Sequence, residues 1–195
     1  MDHGPHKFDP ARAGKLDDPE RQRFLPNRRV VELLDLSGKE TVVDYGAGSG
    51  VLAVEVARTL TGGEVHAVEE NPRMVELLRQ RLQESDAGEV KALAIQENSV
   101  PLPDGAADRV LAVNLLHEVV GETALSEMRR LLSAEGFALI LDWRADVERE
   151  EGPPAEVTFD PAGARDVLEA AGFEVEPASS GEFPYHFAFV ASRRP

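Results

Sequence analysis

Between Thr41 and Leu60 the chain runs from a short β-branched segment, Thr41-Val42-Val43-Asp44-Tyr45, through Gly46-Ala47-Gly48-Ser49-Gly50, into a stretch whose apolar residues recur at helical spacing. Strand, glycine turn and helix in so short a span leave few folds open. Glycines at alternate positions can take up left-handed backbone, and without side chains they let a ligand approach the backbone amides at the next helix's N-terminus. In an open α/β sheet such a turn lies beyond the carboxyl end of its strand, where the ligand crevice forms.

The same rhythm continues downstream. Glu64 to Glu69 reads as a second strand, and Asn71-Pro72 as N-cap and first residue of a helix reaching about Glu84. Val90 to Ile95 and Arg109 to Asn114 are further strands, followed by a helix over Gly121 to Ser133, a strand over Gly136 to Trp143 and a helix from Asp160-Pro161 to Ala171. Phe173 to Val175 and Tyr185 to Ala191 complete seven strands. This alternation predicts an α/β fold, a Rossmann-like doubly wound, mostly parallel seven-stranded sheet. Only the short loop Pro177 to Pro184 joins the last two strands, so they are expected to form an antiparallel C-terminal hairpin. Residues 1–26, with Pro5, Pro10, Pro19 and Pro26, read as an irregular N-terminal arm or lid with one helical turn near Pro19 to Phe24. Residues 27–195 form a single domain, which opens with a helix over Arg28 to Leu36.

Charge narrows the partners. The 195 residues hold 21 Lys+Arg against 36 Asp+Glu, a formal net charge of −15, which argues against nucleic acid and anionic membrane because both are bound through cationic groups. Apolar runs such as Val110 to Leu116 are too short to cross a bilayer. The sequence Met1-Asp2-His3-Gly4-Pro5 has no secretory pattern, so a cytoplasmic location is expected. No cysteine is present, which removes thiolate chemistry and cysteine zinc sites, and no carboxylate and histidine spacing demands a metal, so none is expected.

The glycine spacing separates two ligand classes. A dinucleotide turn needs Gly-x-Gly-x-x-Gly, but its last position here is Val51. The pattern present, Val42-Val43-Asp44-Tyr45-Gly46-Ala47-Gly48-Ser49-Gly50, resembles motif I of the class I S-adenosylmethionine-dependent methyltransferases. Pro101 to Asp108, Leu116-His117-Glu118-Val119 and Leu125 to Trp143 resemble later elements of that family, and the arm resembles small bacterial relatives of its ubiquinone/menaquinone-biosynthesis (methyltransferase type 11) branch. The resemblance implies S-adenosylmethionine as cofactor and S-adenosylhomocysteine as product. It places Asp44, Gly46, Ala47, Gly48 and Gly50 in the cofactor turn and Glu69 on the ribose hydroxyls, which suits a carboxylate that accepts from both members of a vicinal diol. Relatives carry an acid for adenine after strand three. Here the chain reads Ile95-Gln96-Glu97-Asn98, with Gln96 in the aligned position and Glu97 and Asn98 as its substitutes.

Asn114 ends the fourth strand on the crevice side, as a turn residue or as a contact to the methionine part of the cofactor or to the acceptor. His117 is the candidate base, against the plainer role of fixing a loop. His186 reads as core or strand edge, and His3 and His6 as lid residues. The arm from His6 to Arg23 and the polar, mobile loop Val147 to Pro154 are expected to cover the crevice. With no inserted domain and no basic face, the acceptor is expected to be a small molecule. Two rivals stay open: a cofactor-binding regulatory protein without turnover, and a nicotinamide-dependent oxidoreductase, for which no Tyr-x-x-x-Lys site is found.

Overall fold

The computed structural model describes residues 8–119, 122–178 and 181–194. His3, His6 and Gly121 lie outside the described residues. The strands are β1 (Thr41–Tyr45), β2 (Glu64–Glu69), β3 (Val90–Ala94), β4 (Ala107–Val113), β5 (Leu132–Trp143), β6 (Phe173–Pro177) and β7 (His186–Arg193). They form one seven-stranded sheet in the order β3-β2-β1-β4-β5-β7-β6. Strands β1 to β5 pair in parallel, whereas β7 is antiparallel to both β5 and β6. The expected hairpin is therefore present, with its return strand inserted between β5 and β6. The helices are α1 (Asn27–Glu32), α2 (Val51–Ala57), α3 (Pro72–Glu84), α4 (Glu122–Leu131) and α5 (Pro161–Ala170). Winding runs from β1 towards β3 on one side and from β4 towards β6 on the other, so the strand order reverses between β1 and β4 and opens a crevice at their carboxyl ends.

Both sheet faces are covered. In β1, β4 and β5 alternate residues go to opposite cores: Val43, Val110, Ala138 and Ile140 to one, Val42, Leu111, Leu139 and Leu141 to the other. Several element ends differ from the sequence reading. Helix α1 stops at Glu32 because the chain bends through Asp35, whose φ is 47°, although Leu34 remains fully buried. Helix α2 ends at Ala57, where the Thr59 hydroxyl donates to the Val56 carbonyl. Strand β5 starts at Leu132, which pairs with Ala107 before a register shift.

The arm is more regular than the single turn expected. Pro10–Asp17 and Pro19–Arg23 are 3-10 segments, with the Asp9 and Asp18 side chains accepting from the Ala11 and Glu20 amides at 2.9 Å. Arg81 of α3 grips both Asp17 oxygens at 2.6 and 2.7 Å, Leu25 is fully buried, and Phe24 packs on Trp143, Tyr185 and His186. The loop Val147 to Pro154 is also tied down. Arg149 donates to the carbonyls of Arg144, Glu151 and Pro153 while its guanidinium lies 5.1 Å over the Trp143 ring.

Gly50 is the left-handed N-cap of α2, with φ 82°, and a Cβ there would meet Leu78 Cδ1 at 2.4 Å. Leu78 is fully buried and has nowhere to go. Gly50→Ala should therefore cost about 2–4 kcal/mol, from left-handed strain plus overpacking, and lower Tm by about 5–15 °C in calorimetry. A Tm unchanged by the substitution would show that α2 and α3 do not pack through this contact.

Candidate active site

A cleft of about 750 Å³ lies over the carboxyl ends of β1, β2 and β4, within the range of small-molecule sites. Its floor is the glycine turn. Gly46 and Gly48 have φ of 77° and 57°, and the amides of Gly46 and Ala47 both donate to the Val68 carbonyl at 2.9 Å, so the β1–β2 ladder runs into the turn. The Gly48 amide donates to Glu69 Oε2 at 2.8 Å, while Glu69 Oε1 accepts from Glu70 and Asn71 at 2.9 and 2.7 Å. Three backbone donors thus orient the Glu69 carboxylate, and of its roughly four acceptor directions one on Oε2 remains.

Asp44, the penultimate residue of β1, lies in the same cleft, 3% exposed, and among the described residues its Oδ2 has no hydrogen-bond partner. Burial, and then the nearby Glu69, push its carboxyl up to about 7. Asn114 sits at the end of β4 with φ 57°, its amide held by the Leu141 carbonyl at 2.8 Å and its Oδ1 buried without a partner among the described residues. Glu97 and Asn98, at φ 51° and 60°, line the cleft beside Ile95, and the Tyr45 hydroxyl donates to the Asn98 carbonyl at 3.2 Å. Gln96 does not join them. It is exposed and bridges to Ser99, because the inward side chain of Ile95 turns its neighbour outward. Gly50 also stands off the cleft, as the packing glycine described above.

His117 lies on the cleft wall with a partner that the sequence reading missed. Asp142, fully buried at the end of β5, accepts from His117 Nδ1 at 2.6 Å, from the Trp143 amide at 2.6 Å and, through Oδ2, from the His117 amide at 3.0 Å. The signal was available as a lone acid in the apolar run Phe137 to Trp143. Burial lowers the His117 pKa, but the Asp142 hydrogen bond and charge overcome it and leave the imidazole raised. With Nδ1–H donated to Asp142, Nε2 is the basic nitrogen. Glu118, which takes the Phe8 amide of the arm, is pushed up to about 7 by burial.

The cleft's upper wall consists of Arg12, Lys15, Arg21 and Phe24 from the arm, with Trp143 and the loop residues Glu151 to Pro154. Lys15 reaches Glu151 at 3.3 Å, joining arm to loop. His186 is buried in β7 between Phe24 and Trp143, with ring centroids at 6.1 and 4.2 Å, and burial pulls it down to about 3, so it is a neutral core residue. No helix among the described residues is long and apolar enough to cross a membrane.

These features fit a cationic cofactor: a glycine cradle into which Cβ atoms would intrude, and a buried carboxylate with one oxygen unpartnered among the described residues. Comparison with known proteins agrees. A family model described as "Methyltransferase domain" matches residues 42–136. The demethylmenaquinone methyltransferase of Thermus thermophilus is 30% identical over 117 residues, 60% of this chain and 53% of that protein. An uncharacterized methyltransferase of Mycobacterium tuberculosis is 33% identical over 130 residues, 67% of this chain and 50% of that protein. The chain therefore spans about half the length of these curated relatives. The crystal structure of an S-adenosylmethionine-dependent methyltransferase from Aquifex aeolicus superposes with a TM-score of 0.88 at 29% identity, covering 95% of this chain and 98% of that one. Motif, strand order and these likenesses make the chain similar to the class I S-adenosylmethionine-dependent methyltransferases, a family whose cofactor is S-adenosylmethionine, and within them to the ubiquinone/menaquinone branch.

Proposed function

We propose that the chain catalyses S-adenosylmethionine-dependent methylation of a small-molecule acceptor, with His117 as the base that takes the acceptor's proton. The observation that carries this reading is the buried His117–Asp142 pair on the wall of the same cleft whose floor is the Gly46 to Gly48 turn. The chemistry supplied by the cofactor when bound is an electrophilic methyl group, delivered by in-line displacement with S-adenosylhomocysteine as the product. The protein's share is position and proton transfer. The Gly46 and Gly48 backbone and the Glu69 carboxylate hold the nucleoside side, and Ile95, Glu97 and Asn98 flank the base. Asp44 supplies negative charge toward the cationic end, and Asn114 lies at the join with the acceptor. Asp142 fixes the tautomer that leaves Nε2 basic. Arm and loop exclude water as a lid. A base held by a buried acid favours turnover over mere binding, and favours an acceptor with an ionisable hydroxyl or carbon acid, in keeping with the quinone-type acceptor named for the Thermus relative.

Calorimetric titration tests the cofactor half. S-Adenosylmethionine and S-adenosylhomocysteine should bind and NAD should not. Glu69→Ala should weaken binding by about 1–3 kcal/mol, since it removes the diol's acceptor and frees three backbone donors. Failure of both sulfur compounds to bind wild type would sink the proposal. Release of S-adenosylhomocysteine across a panel of phenols, quinols and carbon acids then identifies the acceptor.

A further inference from the structure

We propose that Arg21 is a carboxylate-recognition residue: carried into the cleft on the N-terminal arm, its guanidinium binds a carboxylate group of a ligand and so latches the arm over it. The inference rests on the methyltransferase reading of the cleft. A guanidinium offers five N–H donors in a rigid fork, and in this structure the Arg21 side chain makes one hydrogen bond, from Nη1 to the Asn27 amide oxygen at 2.8 Å. Among the described residues no carboxylate lies within ion-pairing distance of it. Three other half-buried arginines do hold carboxylates. Arg81 holds Asp17, Arg130 holds Glu127 and Asp104, and Arg144 holds Asp146.

Arg21 lines the cleft that also contains the partnerless Asp44 Oδ2. Burial lowers the Arg21 pKa, while Asp17 and Asp44 act on it from beyond contact distance. Two opposite charges therefore face one volume without meeting. A ligand with a carboxylate for Arg21 completes the fork bidentately, a geometry that an ammonium group would not offer. A singly charged carboxylate suits this place better than a dianionic phosphate, because Asp44, Glu69 and Glu118 line the same cleft. The group has two sources, the α-carboxylate of the cofactor's methionine end or a carboxylate on the acceptor.

Isothermal titration of wild type and Arg21→Gln separates the sources with three probes. These are S-adenosylhomocysteine, 5′-methylthioadenosine, which keeps the thioether nucleoside but lacks the amino-acid end, and, with S-adenosylhomocysteine saturating, benzoate and 4-hydroxybenzoate. If the cofactor supplies the group, Arg21→Gln weakens S-adenosylhomocysteine by about tenfold or more and leaves methylthioadenosine within about twofold. If the acceptor supplies it, S-adenosylhomocysteine is unchanged and the aromatic acids bind wild type but not the variant. In either case Arg21→Lys restores part of the loss. The proposal is overturned if Arg21→Gln leaves S-adenosylhomocysteine unchanged and wild type takes up no aromatic acid in preference to the variant. It is also overturned if S-adenosylhomocysteine and methylthioadenosine weaken equally, the mark of a structural role; thermal melts establish that the variant is folded. Should wild type bind neither nucleoside, the methyltransferase reading fails, and the benzoates alone then decide whether Arg21 takes a carboxylate.

Discussion

Asp142→Asn lowers Tm by roughly 6–20 °C, a loss of about 3–5 kcal/mol. The acid receives three N–H donors, two from His117 and one from Trp143, at a fully buried position. An asparagine offers one oxygen, so its amide group must point at a donor. That leaves a buried N–H group unpaired and set against another, each such group costing about 1–3 kcal/mol. The raised His117 pKa also loses most of its support and falls, since against burial only the charge of Glu118 then remains. Differential scanning calorimetry checks the stability, and the imidazole signals in a pH-titrated NMR experiment check the pKa. His117→Gln separates the two roles of the pair. It removes the base while leaving Asp142 its backbone donors, so methyl transfer falls about 100- to 10,000-fold with S-adenosylhomocysteine affinity nearly unchanged. A melting temperature for Asp142→Asn within a few degrees of wild type would mean that the pair is not formed in solution.

Asp44→Asn works in opposite directions on binding and on stability. In the folded protein the carboxyl is held at about 7 against an ordinary 3.8, so its ionisation works against folding. For a carboxyl raised in this way, stability is greatest below the ordinary value and declines as pH rises towards 7. Asparagine escapes the penalty. The ligand-free variant should therefore exceed wild type at pH 8 by roughly 2–4 kcal/mol, a gain that fades below pH 7 and is gone near pH 4. Binding responds the other way. A cationic cofactor needs the ionised form, so wild-type affinity for S-adenosylmethionine should fall as pH drops below 7, with proton release visible as a buffer-dependent binding enthalpy. The variant should bind about 10- to 100-fold more weakly and lose most of that pH dependence, Glu118 keeping a remainder. Equal stability of both proteins at pH 8 would remove the buried charge from the account.

Much of the frame was legible because each piece had a local cause. Alternating apolar residues gave β1, β4 and β5, Asn71-Pro72 gave the start of α3, and the length of the Pro177 to Pro184 loop gave the hairpin. The insertion of β7 between β5 and β6 was not legible, since it depends on long-range pairing that loop length leaves free. In the site, motif spacing brought Asp44, Gly46, Gly48, Glu69 and Asn114 to one cleft. Alignment with the family's acid pointed to Gln96, but the side of an extended segment that faces inward is decided by packing, and Ile95 took it. Asp142 was passed over because strand position alone does not say which neighbour an acid meets. Arg21 and Phe24 lie in a proline-punctuated arm whose course depends on Asp17 meeting Arg81, far along the chain.

The inserted β7 also sets the order in which the molecule can become competent. Asp142 and Trp143 of β5 pair with Phe187 and His186 at the start of β7, so the acid behind His117 gains its strand neighbour only when residues near the carboxyl terminus arrive. The Gly46 to Gly48 turn and Glu69 draw their hydrogen bonds from Val68, Glu70 and Asn71, which are near them in the chain. As a nascent chain leaves the ribosome, the half of the cleft built from β1 and β2 can form early, whereas the half holding His117 and Asp142 waits for residues His186 and Phe187 to emerge. On the reading proposed above, the nucleoside side of the cleft is thereby assembled before the side that holds the base.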